Sequence, residues 1–311
     1  MSVLSQPHFH DEEAAYARLE SIVWPNGPTC PHCGNADPAR VYKIRGKTAR
    51  PGLRTCAECR KQFTVKVGTV FESSHVPLHK WFQAAHLLCA SKKGFSAHQM
   101  HRTLEVTYKT AWFMMHRLRE AMRDGTFAPM GGAGAIMEAD ETYIGRLKGQ
   151  PKRKAGYGHK NAVLTLVERG GRARSFHVEN ASVASVVPIV RENIAREAAL
   201  MTDEATVYKR VGSEFASHDT VAHAKDEYVR YEGERTIHTN TVEGYYSIFK
   251  RGMKGVYQHC SEKHLHRYLA EFDFRYNNRS ALGVEDQERA GNALQGIVGK
   301  RLTYNRSGST L

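Results

Sequence analysis

The sequence lacks any apolar run approaching the ~18 residues that a membrane-crossing helix needs. Its opening stretch, MSVLSQPHFHDEEAAYARLE, is acidic and polar where a secretory leader would be basic and then apolar. These two absences give the expectation of a cytoplasmic protein, nucleoid-associated if its partner is DNA. No internal repeat is present, which argues against a repeat array. Cysteine is scarce, with six in 311 residues, and acids are short, with 32 Asp plus Glu against 45 Lys plus Arg. The formal charge of +13 and pI near 9.5 suit a polyanionic partner, because neutralised phosphates release condensed counterions. A basic pI alone says little until the charges are placed on the fold.

Four of the six cysteines fall in two short pairs, Cys30-Pro-His-Cys33 and Cys56-Ala-Glu-Cys59, leaving Cys89 and Cys260 isolated. A disulfide framework is out of place in a reducing compartment. Thiolates at i and i+3 curl back on one ion, and two such pairs complete a tetrahedron, so Cys30, Cys33, Cys56 and Cys59 are expected to hold structural Zn²⁺. His32 lies between two ligands and is expected to be exposed. The insert between the pairs holds a short strand, Val41 to Ile44, and a basic turn, and a further strand is expected from Gln62 to Val67. Such a segment is too small to bury a good core, so metal would supply much of its folding energy. Ahead of it, Asp11 caps a helix carrying Ala15, Leu19, Ile22 and Val23 at helical spacing, which stops at Trp24-Pro25.

From Pro77 to Arg123 the apolar period is helical. Ser96 caps one helix. Glu105-Val106-Thr107 makes a tight turn, and Thr107 caps the next helix, whose other side carries Lys109, His116, Arg117 and Arg119. Helix, short turn and basic second helix read as a helix-turn-helix. Lys109, Arg117 and Arg119 are candidate DNA contacts, while Tyr108 and Trp112 are expected to pack. The competing reading is an ordinary helical bundle.

After a Gly-rich linker, strands are expected at 135–144, 162–167, 174–178 and 199–202, with another possible at 220–222. Helices are expected at 182–195, 208–215, 241–251 and 262–276. That order is the order of a ribonuclease-H-like core. Three acids stand out in it: Asp140 on the first strand, Asp203 at the end of an adjacent one, and Glu243 on a helix. Several negative oxygens converging on one point can hold two divalent ions, Mg²⁺ or Mn²⁺, for phosphoryl transfer. Glu138 shares the strand face of Asp140 and competes with it, whereas Glu141 and Glu204 point to the opposite faces. Glu243 has a rival explanation, a capping box with Asn240 as the cap. Lys250 follows Glu243 by two helical turns, returning to nearly the same face, where it could grip a phosphate. Asn240 could instead contact metal or DNA.

The segment 145–160, GRLKGQPKRKAGYGHK, carries six Lys or Arg and no acid. Its Lys148, Lys152, Arg153 and Lys154 are expected to meet the DNA backbone, and Arg251 and Lys254 extend that surface beyond Glu243.

The motifs CPHCG, CAEC, ADETYIG, TDEATVY, HTNTVEGYYSIFKRGMKGVYQH and HLHRYLAEFDFRYNNR, in that order, resemble the IS1595-family transposases of the ISXO2-like group, from about Trp24 to Arg279. The resemblance implies a DDE triad of Asp140, Asp203 and Glu243 with Lys250 as its associated lysine. It also implies an enzyme that cuts and joins the DNA of an insertion sequence, at least a dimer on paired ends. Some relatives are described with Asn in the third role, so Asn240 and Glu243 both stand as third-ligand candidates. The expected architecture is multidomain: an N-terminal helix and zinc ribbon (1–68), a helix-turn-helix-like DNA-binding region (69–124), an α/β ribonuclease-H-like catalytic domain (135–284) and a tail (285–311). The partners expected are the terminal inverted repeats and target DNA. Two other readings compete: a zinc-ribbon regulator whose second half only dimerises, and a ribonuclease-H-like nuclease that does not join.

Overall fold

The computed structural model describes residues 2–46, 48–125, 128–151, 153, 156–233 and 235–303. Of the expected DNA contacts, Lys152 and Lys154 lie outside the described residues, as does the end of the tail. The chain forms two compact units, one of Met1–Ser91, Phe95–Arg123 and Val284–Leu311, the other of Lys92–Gly94 and Asp124–Gly283.

In the first unit, α1 (Glu12–Val23) starts where Asp11 accepts a bond of 2.7 Å from the Ala14 N–H, as an N-cap should. β1 (Val41–Lys43), β2 (Arg54–Cys56) and β3 (Gln62–Phe63) form an antiparallel three-stranded sheet. The strand expected to run to Val67 stops at Phe63 because the chain turns there, with the Val67 N–H bonding back to Thr64 O. The sheet buries only a small cluster around Cys30, Val41, Cys56 and Phe63. Arg54 ties it to α1 through two bonds to the Glu20 carboxylate, at 3.2 and 2.7 Å.

Three helices follow: α2 (Leu78–Ala90), α3 (Ala97–Leu104) and α4 (Tyr108–Met122). Glu12 of α1 accepts the first N–H groups of α2, from Leu78 at 2.8 Å and His79 at 3.1 Å, so an acid of one helix caps the start of the next. Ser96 and Gln99 form a capping box on α3, Glu105 ends it in the left-handed conformation, and Thr107 caps α4.

In the second unit, β4 (Ile136–Ile144), β5 (Asn161–Glu168) and β6 (Ala173–Val178) run antiparallel. After α5 (Val183–Asn193), β7 (Ala199–Asp203) pairs parallel to β4, and β8 (Ser217–Val221) parallel to β7. The strand order is β6-β5-β4-β7-β8. The helix expected over 208–215 is two short 3-10 turns. A small hairpin, β9 (Arg230–Glu232) and β10 (Arg235–Ile237), precedes α6 (Asn240–Gly252) and α7 (Leu265–Asn277).

Alternation along the strands divides the core. One face packs Met137 and Ala139 with Val186, Val190 and Tyr208. The other packs Val163 and Val167 with Val242, Phe249, Leu269 and Phe272 of α6 and α7. Gly252 permits this second packing, since a Cβ there would stand 2.5 Å from both Lys93 O and the Phe272 ring.

The last helix, α8 (Asp286–Gln295), belongs to the first unit, packed on α2 and α4. Arg289 bonds to Cys89 O, and Lys300 to Ala121 O and Arg123 O. The C-terminal stretch expected as a tail therefore completes the helical unit that 69–124 begins.

Candidate functional site

The four cysteines are assembled as the sequence predicts. Their sulfurs all lie within 4.8 Å of one another. Cys30 and Cys59 are 3.6 Å apart, and Cys33 and Cys56 3.7 Å. A tetrahedron with ~2.3 Å Zn–S bonds has edges of about 3.8 Å, so the cluster fits Zn²⁺ without rearrangement. The N–H groups of Cys59 and Glu58 pull the Cys56 thiol down to about 7. The Asn35 N–H favours the Cys33 thiolate, but desolvation and the three neighbouring thiols push it up to about 12. His32 is exposed beside the cluster.

The acids gather at one end of the sheet. The parallel pairing of β4 and β7 ends at Glu138 and Met201, and the same register carried two residues further sets Asp140 level with Asp203, on the same face. Burial, then the charges of Glu141 and Asp203 and, more weakly, Glu243, raise the Asp140 carboxyl to about 7. Glu243 is exposed in the first turn of α6. Burial also lowers the Lys250 ammonium, opposed first by the attraction of Asp140 and also by that of Glu243. Asp140 is thus the charge that couples to each of the other three. The donors are hard carboxylate oxygens suited to Mg²⁺ or Mn²⁺. Among the described residues, however, only the cysteines bring three or more ligand atoms within 4.8 Å of one another.

Glu138 does not compete for that role. It is fully buried and accepts the N–H groups of Thr241 and Val242 at 2.8 and 2.9 Å and the Thr241 hydroxyl at 2.8 Å. Arg169 neutralises it at 2.6 Å. The carboxylate of β4 is therefore the cap of α6, where orphan N–H groups and the helix dipole favour an anion. The expected capping box is replaced by this arrangement. Thr239, not Asn240, precedes the helix, and Asn240 is its exposed first residue. Glu243 lies 3.4 Å from the Thr239 hydroxyl and is left free of a helix-start N–H. Tyr246 adds a second tie, its hydroxyl donating 2.5 Å to the carbonyl of Asp140 itself.

Two residues escaped the sequence reading. His223 sets its Nε2 3.4 Å from Glu243 Oε1, held by Glu204, whose carboxylate accepts the N–H groups of His223 and Ala224 at 2.8 and 3.0 Å. Tyr208, fully buried, donates 2.6 Å to Glu141, which burial raises to about 7. The repeated Asp-Glu pairs, 140–141 and 203–204, were the available signal: each first acid is central and each second acid supports a neighbour.

The basic candidates separate. Lys109, Lys148, Arg153, Arg251 and Lys254 are exposed. Arg117 and Arg119 are a correction, being 7% and 1% exposed. Arg117 donates to Val70 O and Glu72 O at 2.8 and 3.0 Å, so α4 turns these arginines into the first unit, where α8 and the chain after it close over a side that reads as solvent-facing in sequence. Trp112 packs on His116, with ring centres 4.1 Å apart. Tyr108, expected to pack, is 45% exposed and stacks on His98.

Known domain families match both the cysteine-held ribbon and the mixed α/β domain. The ISXO2-like transposase domain matches residues 132–277, and the transposase zinc-ribbon domain residues 10–62. The chain belongs to the IS1595 family. A relative from Halobacterium salinarum, described as an uncharacterized protein in transposable element ISH50, is 27% identical over 285 residues, covering 86% of this chain and 91% of that one. Among solved structures, the simian T-cell lymphotropic virus intasome in complex with PP2A regulatory subunit B56 gamma aligns with 56% of this chain and 67% of that chain, at 14% identity and a TM-score of 0.25. No helix among the described residues is long and apolar enough to cross a membrane.

Proposed function

We propose that the protein binds the ends of its insertion sequence and, at a divalent-metal site, cuts and joins DNA. The observation that supports this is the parallel register of β4 and β7, which runs toward Asp140 and Asp203, with Glu243 and Lys250 on a helix whose start is pinned to β4. A sheet of three antiparallel strands extended by two parallel ones supports a ribonuclease-H-like reading of the second unit. Asp140, Asp203 and Glu243 would hold Mg²⁺ or Mn²⁺, which activates the attacking oxygen and stabilises the leaving one. Lys250 supplies a fixed cation for the phosphate being cut. Asn240, exposed one turn before Glu243, faces the DNA strand. Zn²⁺ held by the cysteines folds the ribbon, and the α3-turn-α4 pair serves as a helix-turn-helix reading the terminal repeats through exposed Lys109. Arg251, Lys254, Lys148 and Arg153 add backbone contacts. Two paired ends require at least a dimer.

Supplying pre-cut element ends and target DNA tests the reading. Wild type should yield joined product with Mg²⁺, and Asp140→Ala should yield none while binding the ends within about two-fold. Joining at the wild-type rate by Asp140→Ala would sink it. Cleavage without joining by wild type would favour a nuclease, and binding without either would favour a regulator.

A further inference from the structure

The segment 145–160 holds more than positive charge. Its Tyr157 is 57% exposed even though Tyr143 of β4 covers one face of its ring, with centres 4.4 Å apart and planes only 10° from parallel. Tyr143 is itself part of the packed core on the α5 side of the sheet, so it gives Tyr157 a firm backing. Lys160 places its Nζ over the Tyr157 ring, 5.0 Å from its centre, and the Lys160 N–H closes the turn onto Tyr157 O at 2.8 Å. The hairpin is closed at its base by Leu147 N–H to His159 O, 2.9 Å. A soluble surface gives no reason to present a braced aromatic ring among cations.

A second exposed aromatic sharpens the choice. Tyr231 on the β9–β10 hairpin is 76% exposed, yet the arginines around it are spent. Arg230 pairs with Glu227 and Glu232, and Arg235 with Asp219. By contrast, Arg146, Lys148, Arg153 and Lys160 make no ion pair with a described residue, and 145–160 contains no acid to offer one. Sequence-tolerant binding of single strands combines an exposed aromatic ring with unpaired cations along the backbone path, and of these two hairpins the 145–160 segment has both. It lies near the acid end of the sheet, since Tyr143 follows Asp140 by three residues, about 10 Å along β4, though on the opposite face, and the Lys160 charge reaches Lys250.

We propose that Tyr157, backed by Tyr143 and flanked by Lys160, is a stacking platform for an unpaired nucleobase of a DNA strand entering the acid site. The proposal rests on the DNA-joining reading above and adds to it a site for single-stranded, not duplex, DNA.

The test compares full-length wild type with Tyr157→Ala, Tyr157→Phe and Tyr157→Trp. Two probes are used: oligothymidine carrying one 2-aminopurine, and a blunt duplex of the element's end. Wild type should quench the 2-aminopurine, and Tyr157→Ala should weaken single-strand binding about ten-fold or more and lose the quenching. Tyr157→Phe and Tyr157→Trp should keep both, because stacking needs the ring and not the hydroxyl. Duplex binding should stay within about two-fold in all three. Wild-type single-strand affinity and quenching in Tyr157→Ala would overturn the platform while leaving the joining reading intact. Tyr157→Phe as defective as Tyr157→Ala would overturn it too, because the hydroxyl would then be the active group. Failure of wild type to bind or join any DNA would instead overturn the parent reading.

Discussion

The chain carries a cysteine cluster that fits Zn²⁺ and a set of acids that we propose to hold divalent cations, and the two are built on opposite principles. The cysteines already stand at tetrahedral distances, 3.6 and 3.7 Å across the two pairs, while the acids share a site without closing to within 4.8 Å of one another. Thiols can crowd because they are neutral when protonated, and the ribbon has only a small apolar cluster to hold it otherwise. Burial, and after it the repulsion of neighbouring carboxylates, makes Asp140 hold its proton to about 7. The zinc set is part of the fold, whereas the acid set, in our proposal, is positioned by the fold and left for cations to draw together. The scaffold for that positioning is Glu138, an acid turned away from metal and spent on the start of α6.

The largest break in the comparison should come from the ribbon. Cys56→Ser, or a strong chelator, should remove about one Zn²⁺ per chain and melt β1 to β3, since metal binding in such modules is folding energy. Zinc analysis with hydrogen exchange over residues 30–63 reads this, and exchange in β4 to β7 should stay unchanged. Next comes Glu138→Ala, which leaves Arg169 without its buried partner and α6 without its cap. We expect a loss of about 3 kcal/mol by urea unfolding and faster exchange at Thr241 and Val242, with zinc content unaltered. Lys250→Ala should be milder on the fold, leaving unfolding near wild type while cutting joining by roughly ten- to a hundred-fold, as loss of a charged phosphate contact does.

The smallest effect follows from pH. Asp140 is raised in the folded state from 3.8 to about 7, so folded protein keeps a proton that the unfolded chain has lost. The stability this gives is full below about pH 4 and vanishes as pH rises through 7. Metal-free Asp140→Asn, which has no such charge to bury, should therefore gain in Tm over wild type between pH 5 and 8, by a few degrees. Glu141 shifts in the same direction and keeps part of the pH dependence in the variant. A Tm difference that stays flat with pH would show that the acids do not repel as described.

Much of this was legible in sequence because local rules set it. Asp11, Ser96 and Thr107 cap the helices they should, and CxxC spacing assembles the cysteines. Strand alternation correctly put Glu138 and Asp140 on one face. What it could not give was which of the two meets α6 in space, because capping by Glu138 joins residues more than a hundred positions apart. The same limit hid His223, brought to Glu243 through Glu204. Arg117 and Arg119 looked solvent-facing because the helix period shows a polar side, and the segment that covers it comes from the far end of the chain. The β9–β10 hairpin, whose strands are charged and bury only Ile237, has no apolar alternation to announce it.

The central claim is that Asp140 and Asp203 form a cation site separate from the zinc cluster. Titrating zinc-loaded protein with Mn²⁺ at pH 8, and following the free-ion electron paramagnetic resonance signal, tests it most directly. Wild type should take up Mn²⁺, and Asp140→Asn and Asp203→Asn should each weaken uptake about ten-fold or more with zinc content unchanged. Equal Mn²⁺ uptake by wild type and both variants would contradict the account.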